Sequence, residues 1–105
     1  MNHQKRNECI QKHFSEILKI ASSKGIEYSN STEDANRNFY KLGEELGLDP
    51  KQVLWVYAQK HNQSISQYIR TGETKSNETI QSRIYDAILY HFILLSLIED
   101  ENSKK

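Results

Sequence analysis

The sequence predicts an all-α protein, a compact four-helix bundle. Apolar residues recur at helical spacing in four segments, and no stretch shows the sustained alternation of a strand. The segment from Arg83 to Ile98 is the most apolar, with apolar side chains around nearly the whole circumference of a helix. Because such a helix must be surrounded, we expect the protein to oligomerise through this C-terminal helix, which also packs against the other helices.

The first helix is expected from about Arg6 to Ser23, where Gly25 stops it. Residues 26–38 are rich in Ser, Asn and acidic side chains and predict a loop long enough to be functional. The apolar stripe of this helix consists of Ile10, Phe14, Ile17, Leu18 and Ala21.

A short second helix follows this loop. Ser31 or Thr32 can cap its start, and Gly47 is expected to end it. The inward face of this helix is predicted to consist of Phe39, Leu42 and Leu46.

The start of the third helix has the clearest local signal. Asp49 is suited to the cap, Pro50 to the first helical position, and Gln52 can complete a capping box. The helix is expected to end near Arg70, before Gly72. Its predicted apolar face consists of Leu54, Tyr57, Ala58, Ile65, Tyr68 and Ile69.

The final helix is expected to begin after a cap at Ser76 or Asn77, with Glu78 near its positive end. The whole chain is predicted to form a single α-helical domain, since its 105 residues match the usual size of one domain. Residues 1–5 and 100–105 have little to bury, so we expect frayed ends.

Charge and composition disfavour several partners. Fourteen basic side chains balance fourteen acidic ones, which removes the positive field that a long nucleic acid or an anionic membrane needs. The N-terminus lacks the apolar core of a secretion signal, and the apolar run of the last helix is too short to cross a bilayer. Cys9 is the single cysteine, expected to be a buried hydrophobe. We expect a cytoplasmic protein.

The third and fourth predicted helices carry polar residues on or beside their apolar faces. Lys60 and His61 flank the seam of the third helix, and Arg83, Asp86 and Tyr90 share one face of the fourth. In one interpretation, Arg83 binds a ligand anion and Asp86 holds a basic neighbour or a metal. In the other, Arg83 and Asp86 pair with each other, and His61 is a satisfied core histidine.

A second group of candidates surrounds the predicted loop. Lys24, Tyr28, Arg37, Asn38 and Phe39 combine aromatic rings with amides and cations, which suits a nucleobase. Alternatively, the two rings anchor the loop and the amides form turns. No glycine-rich phosphate loop, HExxH, GxSxG or paired cysteines occur, and the four histidines are too scattered to predict a metal triad.

Four short motifs resemble those of the MazG-like, nucleotide-modification-associated proteins of phages and bacteria. They are K-G-x-E-Y at 24–28, N-F at 38–39, K-H-x-x-S-I at 60–65, which includes Ser64, and R-I-x-D-x-x-x-Y at 83–90. The resemblance implies an α-helical, oligomeric fold that handles nucleotides, often phage-encoded and therefore located in the cytoplasm of a bacterial host.

The chain departs from this family at the metal ligands. MazG-like enzymes hold Mg²⁺ with E-x-x-E and E-x-x-D on two helices, but Arg83 stands where the carboxylate three residues before Asp86 would be. Glu44 and Glu45 are adjacent instead of three apart. Since an arginine repels Mg²⁺ and attracts phosphate, the sequence favours binding over hydrolysis.

Three functions follow from these residues and from what the resemblance implies. The first is a non-catalytic nucleotide-binding protein without a cofactor, which sequesters a nucleotide-derived immune signal at a subunit interface. The second is a Mg²⁺-dependent nucleoside triphosphate pyrophosphohydrolase, with Glu27, Glu44, Glu45, Glu78 and Asp86 as candidate metal ligands. The third is a helical adaptor that binds another protein. The ligand-binding residues of the first are expected to be Lys24, Tyr28, Arg37, Asn38, Phe39, Lys60, His61, Ser64, Arg83, Asp86 and Tyr90.

Overall fold

The computed structural model describes residues 1–28, 35–74 and 77–104, with the backbone alone for residues 23–28. These residues form four α-helices and no strand, which confirms the all-α prediction. The helices are α1 (His3–Tyr28), α2 (Arg37–Leu46), α3 (Pro50–Thr71) and α4 (Ile80–Ser103). Contacts divide the chain into two compact units, Met1–Ala35 and Asn36–Lys105. The single domain stays a prediction.

The first unit is built on α1, which is longer than predicted at both ends. Asn2 caps it, since its side-chain Oδ1 accepts a hydrogen bond from the Lys5 amide at 2.8 Å. At the other end the helix continues through Gly25 to Tyr28, so the expected end at Ser23 was wrong. A glycine within a helix costs only about 1 kcal/mol relative to alanine, which does not by itself end a helix. The predicted caps of α2, at residues 31 and 32, lie outside the described residues.

The second unit begins with α2, which ends as predicted at Gly47. This glycine has φ 70°, and its amide donates to the Gly43 carbonyl. Leu42 and Phe39 are half-buried. Leu46 was wrongly placed on the inward face, because 59% of it is exposed.

A close approach between α2 and the following turn depends on Gly43. A Cβ atom on this residue would lie 2.6 Å from the Leu48 carbonyl oxygen and 3.4 Å from the Pro50 nitrogen. Both are backbone atoms, so neither can move without shifting the start of α3. The Leu48 amide also donates to the Gly43 carbonyl at 2.8 Å, which holds the turn against α2.

Gly43→Ala is therefore expected to lower the free energy of unfolding by about 1–3 kcal/mol through overpacking. Helix propensity alone would raise it by about 1 kcal/mol, so the two effects have opposite signs. Chemical denaturation measures the difference, with Lys41→Ala as a control at an exposed site of the same helix. A variant as stable as the wild type would show that the turn is not held against Gly43.

The predicted start of α3 is confirmed. Asp49 Oδ1 accepts from the Lys51 amide at 2.8 Å, and Gln52 Oε1 accepts from the Asp49 amide at 2.9 Å. Pro50 occupies the first turn. The helix ends one residue after Arg70, where Gly72 adopts φ 74°.

Helices α3 and α4 pack antiparallel. Lys51, at the start of α3, forms an ion pair with Glu101 near the end of α4. Further along α3, His61 lies beside Asp86, which is near the start of α4. The core of this unit consists of Val53, Leu54, Ala58, Tyr85, Ala87 and Leu97. Leu54 and Ala58 were predicted to be inward, whereas Tyr57, Tyr68 and Ile69 are exposed and were wrongly assigned to that face.

The start of α4 differs from the prediction. Thr79 is the cap, since its Oγ1 accepts from the Ser82 amide at 3.1 Å, so the expected cap at Asn77 was wrong; Ser76 lies outside the described residues. The helix continues to Ser103. Its last turns are bonded to other helices, because the Tyr40 hydroxyl donates to Asp100 Oδ2 at 2.8 Å.

One apolar face of α4 is not covered by the other helices of its unit, and its burial against a second copy stays a prediction. Ile84 and Ile88 are 39% and 38% exposed, and Leu95 is 57% exposed. In the second unit, α3 occupies only one side of α4, and the apolar residues on the other side stay accessible to water.

The capping carboxylate of α3 predicts a dependence of stability on pH. Hydrogen bonds from the backbone and side chain of Lys51 lower the pKa of Asp49. Its stabilising contribution is therefore present above the unfolded value near 3.8 and is lost as the pH falls through the lower folded pKa. Asp49→Ala should cost about 1 kcal/mol at neutral pH.

Asp49→Asn is the matched control, because asparagine caps a helix as well as aspartate but does not titrate. It should keep most of the stability at neutral pH and lose less of it in acid. Denaturation of the three proteins at neutral and acidic pH measures both effects, and an alanine variant as stable as the wild type would contradict the role of the cap.

Candidate functional site

The candidate site is a group of four side chains between α3 and α4, here named the polar cluster: His61, Arg83, Asp86 and Tyr90. His61 follows Leu54 and Ala58 on one face of α3, and Leu54 and Ala58 are fully buried. The other three lie at i, i+3 and i+7 of α4 and therefore share a face. Antiparallel packing brings the two faces together.

The contacts within the cluster centre on His61. Its ring stacks on Tyr90, with the ring centroids 5.1 Å apart and the planes inclined by 30°. Its Nδ1 lies 3.9 Å from Asp86 Oδ2, which is too long for a hydrogen bond. This nitrogen is buried, and no hydrogen-bond partner for it lies among the described residues. A buried nitrogen without a partner favours a ligand that supplies one.

Burial lowers the pKa of His61. Desolvation is the largest cause; the negative charges of Asp86 and Glu78 act in the opposite direction, and the positive charges of Arg83 and Lys60 add to the shift. The imidazole is therefore neutral at pH 7. A neutral imidazole offers one donor and one acceptor, which suits the edge of a base as well as a hydroxyl group.

Arg83 lies at the start of α4 with only 12% of its side chain exposed. Its Nε is 3.1 Å from Glu78 Oε2, an ion pair in which the carboxylate is 52% exposed. From the sequence, Glu78 was expected near the positive end of α4 and as a candidate metal ligand, but this pairing was not predicted. The fixed guanidinium has five N–H donors, so it can bond a phosphate as well as a carboxylate.

Two further predicted residues lie on α3 beside the cluster. Lys60 precedes His61 and is exposed, and Ser64 lies one turn further along and is half-buried.

The predicted residues of α2 lie elsewhere. Arg37 and Asn38 are exposed and Phe39 is half-buried, all in the first turn of α2. The neighbouring Asn36 donates to Ser96 Oγ at 3.1 Å, in the second half of α4. Ser96 lies ten residues beyond Asp86, which is about 15 Å along the helix. The structure therefore does not bring the α2 residues to the polar cluster.

The remaining candidates cannot be placed by their side chains. Lys24, Glu27 and Tyr28 belong to the last turns of α1, of which only the backbone is described. The single irregular region expected from Lys24 to Phe39 was wrong, because both of its ends are helical.

The carboxylates proposed for a metal do not converge within the described part of the chain. Glu44 and Glu45 are exposed on α2, whereas Glu78 and Asp86 belong to the start of α4. No group of three or more His, Cys, Asp or Glu side chains among the described residues could hold a metal ion.

Comparison of the chain with family models, curated proteins and solved structures gave no match. The resemblance to MazG-like proteins rests on the four short motifs alone. No helix within the described ranges is long and apolar enough to cross a membrane.

The lowered pKa of His61 predicts how the free energy of unfolding depends on pH. Below pH 6.5, the ordinary pKa of histidine, His61 is protonated in the unfolded chain. In the folded chain its lowered pKa keeps it neutral to a lower pH. The free energy of unfolding should fall as the pH drops below 6.5, by at most about 1.4 kcal/mol per pH unit for one proton. His61→Phe keeps a ring against Tyr90 but cannot titrate, so this part of the pH dependence should disappear.

Chemical denaturation between pH 5 and 8 tests this prediction, with His3→Gln as the control at an exposed histidine. If His61→Phe and His3→Gln change the pH dependence equally, the polar cluster does not keep His61 neutral.

Proposed function

We propose that this protein is a non-catalytic nucleotide-binding protein that holds its ligand at the polar cluster. One observation carries the proposal: the nearly buried guanidinium of Arg83 shares a face of α4 with Tyr90, whose ring stacks on His61, and His61 Nδ1 is buried with no hydrogen-bond partner among the described residues. A hydrophobic core needs none of these three groups, whereas a bound nucleotide can contact all three.

The phosphates would bind to Arg83. Its guanidinium is fixed by Glu78, so little side-chain entropy is lost when it bonds an anion. Lys60, exposed on the adjacent helix, adds a second cation within reach of a longer phosphate chain. The zero net charge of the chain makes this attraction local, in agreement with a small ligand and not a polymer.

The base would bind beside His61 and Tyr90. Their rings, stacked with the planes inclined by 30°, form an aromatic surface, and stacking on an aromatic ring is worth about 1–3 kcal/mol per base in other proteins. The neutral imidazole and the Asp86 carboxylate, 3.9 Å apart, can accept hydrogen bonds from an exocyclic amino group or a ring N–H.

The biological role we propose is sequestration, in which the protein captures a nucleotide-derived signal without cleaving it. Two aspects support capture: Arg83 replaces a metal-binding carboxylate of the MazG-like pattern, and a cation binds phosphate directly. The phage origin and the interface pocket that this role implies stay predictions.

Nucleotide binding is tested by thermal shift and calorimetry with mono-, di- and triphosphates and cyclic nucleotides. A ligand at about 100 times its dissociation constant should stabilise the protein by about 2.7 kcal/mol. Arg83→Gln should abolish the shift, because it removes the charge that faces the phosphate. Arg70→Gln is the control, since Arg70 is an exposed arginine near the end of the same helix pair.

Three results would count against this function. Equal loss in both arginine variants would point to nonspecific charge, and release of pyrophosphate with Mg²⁺ would show a hydrolase. No shift with any nucleotide would favour the second candidate, a helical adaptor, for which the exposed apolar face of α4 is the supporting observation.

A further inference from the structure

The exposed face of α4 has a regular pattern, here named the α4 seam: Ile84, Ile88, His91, Leu95 and Ile98. Successive members are four, three, four and three residues apart, an average of 3.5. Between 38% and 57% of each of the four aliphatic residues is exposed, and His91 is exposed as well. A repeat of 3.5 residues keeps one stripe of a helix facing another helix along its whole length.

The seam is long and apolar enough to bind a helix. It extends over four turns, about 21 Å. Contiguous apolar patches on monomers seldom exceed about 300–600 Å² and are often interaction sites. Pairing two such faces would bury roughly the 1,000 Å² that a specific interface needs. Since this is near the lower limit, we expect a weak dimer whose population depends on concentration.

We propose that the α4 seam is the contact between two copies of this chain, which pair antiparallel. The chain carries no net charge, so two copies do not repel each other as a charged protein would. A second copy offers a matching surface, because its seam has the same repeat and the same apolar residues. A small ligand would leave most of a 21 Å stripe uncovered.

The antiparallel direction follows from His91 and from the helix ends. Parallel pairing would place the two His91 rings against each other within an apolar stripe. In the antiparallel register with Ile84 opposite the partner's Leu95, each His91 instead meets Ile88, and Ile98 meets Gln81. This direction also places Glu99, near the end of α4, close to the positive end of its partner helix.

His91 is tolerated in this seam because its polarity is partly satisfied within its own helix. Its Nδ1 lies 2.7 Å from the Ala87 carbonyl, which accepts a hydrogen bond from the ring in that tautomer. The ring also contacts the edge of Trp55, with centroids 6.0 Å apart. Trp55 is the only tryptophan of the chain, so its fluorescence reports on the middle of the seam.

The α4 seam and the polar cluster lie on different sides of the helix. Asp86 and Ile88 are two residues apart, which is 200° around a helix, and such positions do not face each other. Pairing through the seam therefore leaves the polar cluster open in each copy. This inference is independent of nucleotide binding, and a pocket at a subunit interface would need a contact other than this seam.

Sedimentation of the full chain without nucleotide, over a range of concentrations, tests the dimer. The wild type should shift from monomer to dimer, with a matching change in Trp55 emission. Ile88→Glu with Leu95→Glu should be monomeric throughout, while Ile69→Glu should dimerise as the wild type does. Ile69 is 77% exposed on α3 and outside the seam, so it controls for an added charge in place of an apolar residue. Circular dichroism confirms that each variant is folded.

Disulfide cross-linking tests the direction in a Cys9→Ser background. A mixture of Gln81→Cys and Ile98→Cys proteins should form a mixed disulfide dimer, while neither protein should cross-link to itself. A wild type that stays monomeric at every concentration, or a dimer unaffected by the seam variant, would overturn the proposed contact. Self-cross-linking of Ile98→Cys would overturn the antiparallel arrangement.

Discussion

The antiparallel packing of α3 on α4 is the constraint on which the second unit of this protein depends. Leu54 and Ala58 on α3 and Leu97 on α4 are almost completely removed from water. Because each fully buried leucine contributes about 1.5–3 kcal/mol relative to an exposed one, this small core fixes the register of the two helices. The register then decides which polar side chains meet at one end of the pair, and which face of α4 stays in water.

The polar cluster is a consequence of that register. His61 continues the buried face of α3 by one more turn, where α4 presents Asp86 and Tyr90 instead of an aliphatic side chain. The histidine is thereby desolvated, its Nδ1 has no hydrogen-bond partner in the described part of the chain, and its pKa is lowered. A protein that needed only stability would gain from an apolar residue at this position, since a buried polar atom without a partner costs about 1–3 kcal/mol. This cost is the physical reason why ligand binding is proposed at the cluster.

The same packing explains why α4 has two different sides. Its contact with α3 uses one side, which contains Tyr85, Ala87 and Leu97, and leaves the seam from Ile84 to Ile98 without a cover in this unit. A helix that is apolar around most of its circumference has too much apolar surface for one neighbour. The proposed self-association would remove the rest from water, on the side away from the polar cluster. The proposed ligand binding and the proposed self-association would therefore use opposite faces of one helix without competing.

The sequence by itself determined the features that depend on a few neighbouring residues. The start of α3 at Asp49, Pro50 and Gln52 was predicted correctly, and so was the end of α2 at Gly47, because capping bonds and left-handed glycines are local. The all-helical fold class was also predicted from the 3.6-residue period of the apolar residues. The predicted end of α1 was wrong because it depended on Gly25 alone. A glycine within a helix costs too little free energy to end it.

Only the tertiary structure decided which apolar residues are buried and which polar residues meet. Tyr57 and Ile69 were predicted on the same apolar face as Leu54, yet no other helix of their unit covers them. The proximity of His61 to Asp86, and the separation of both from the first turn of α2, follow from the register between segments distant in the chain. Periodicity specifies the face of each helix, but the distance between two faces is fixed only when their side chains pack.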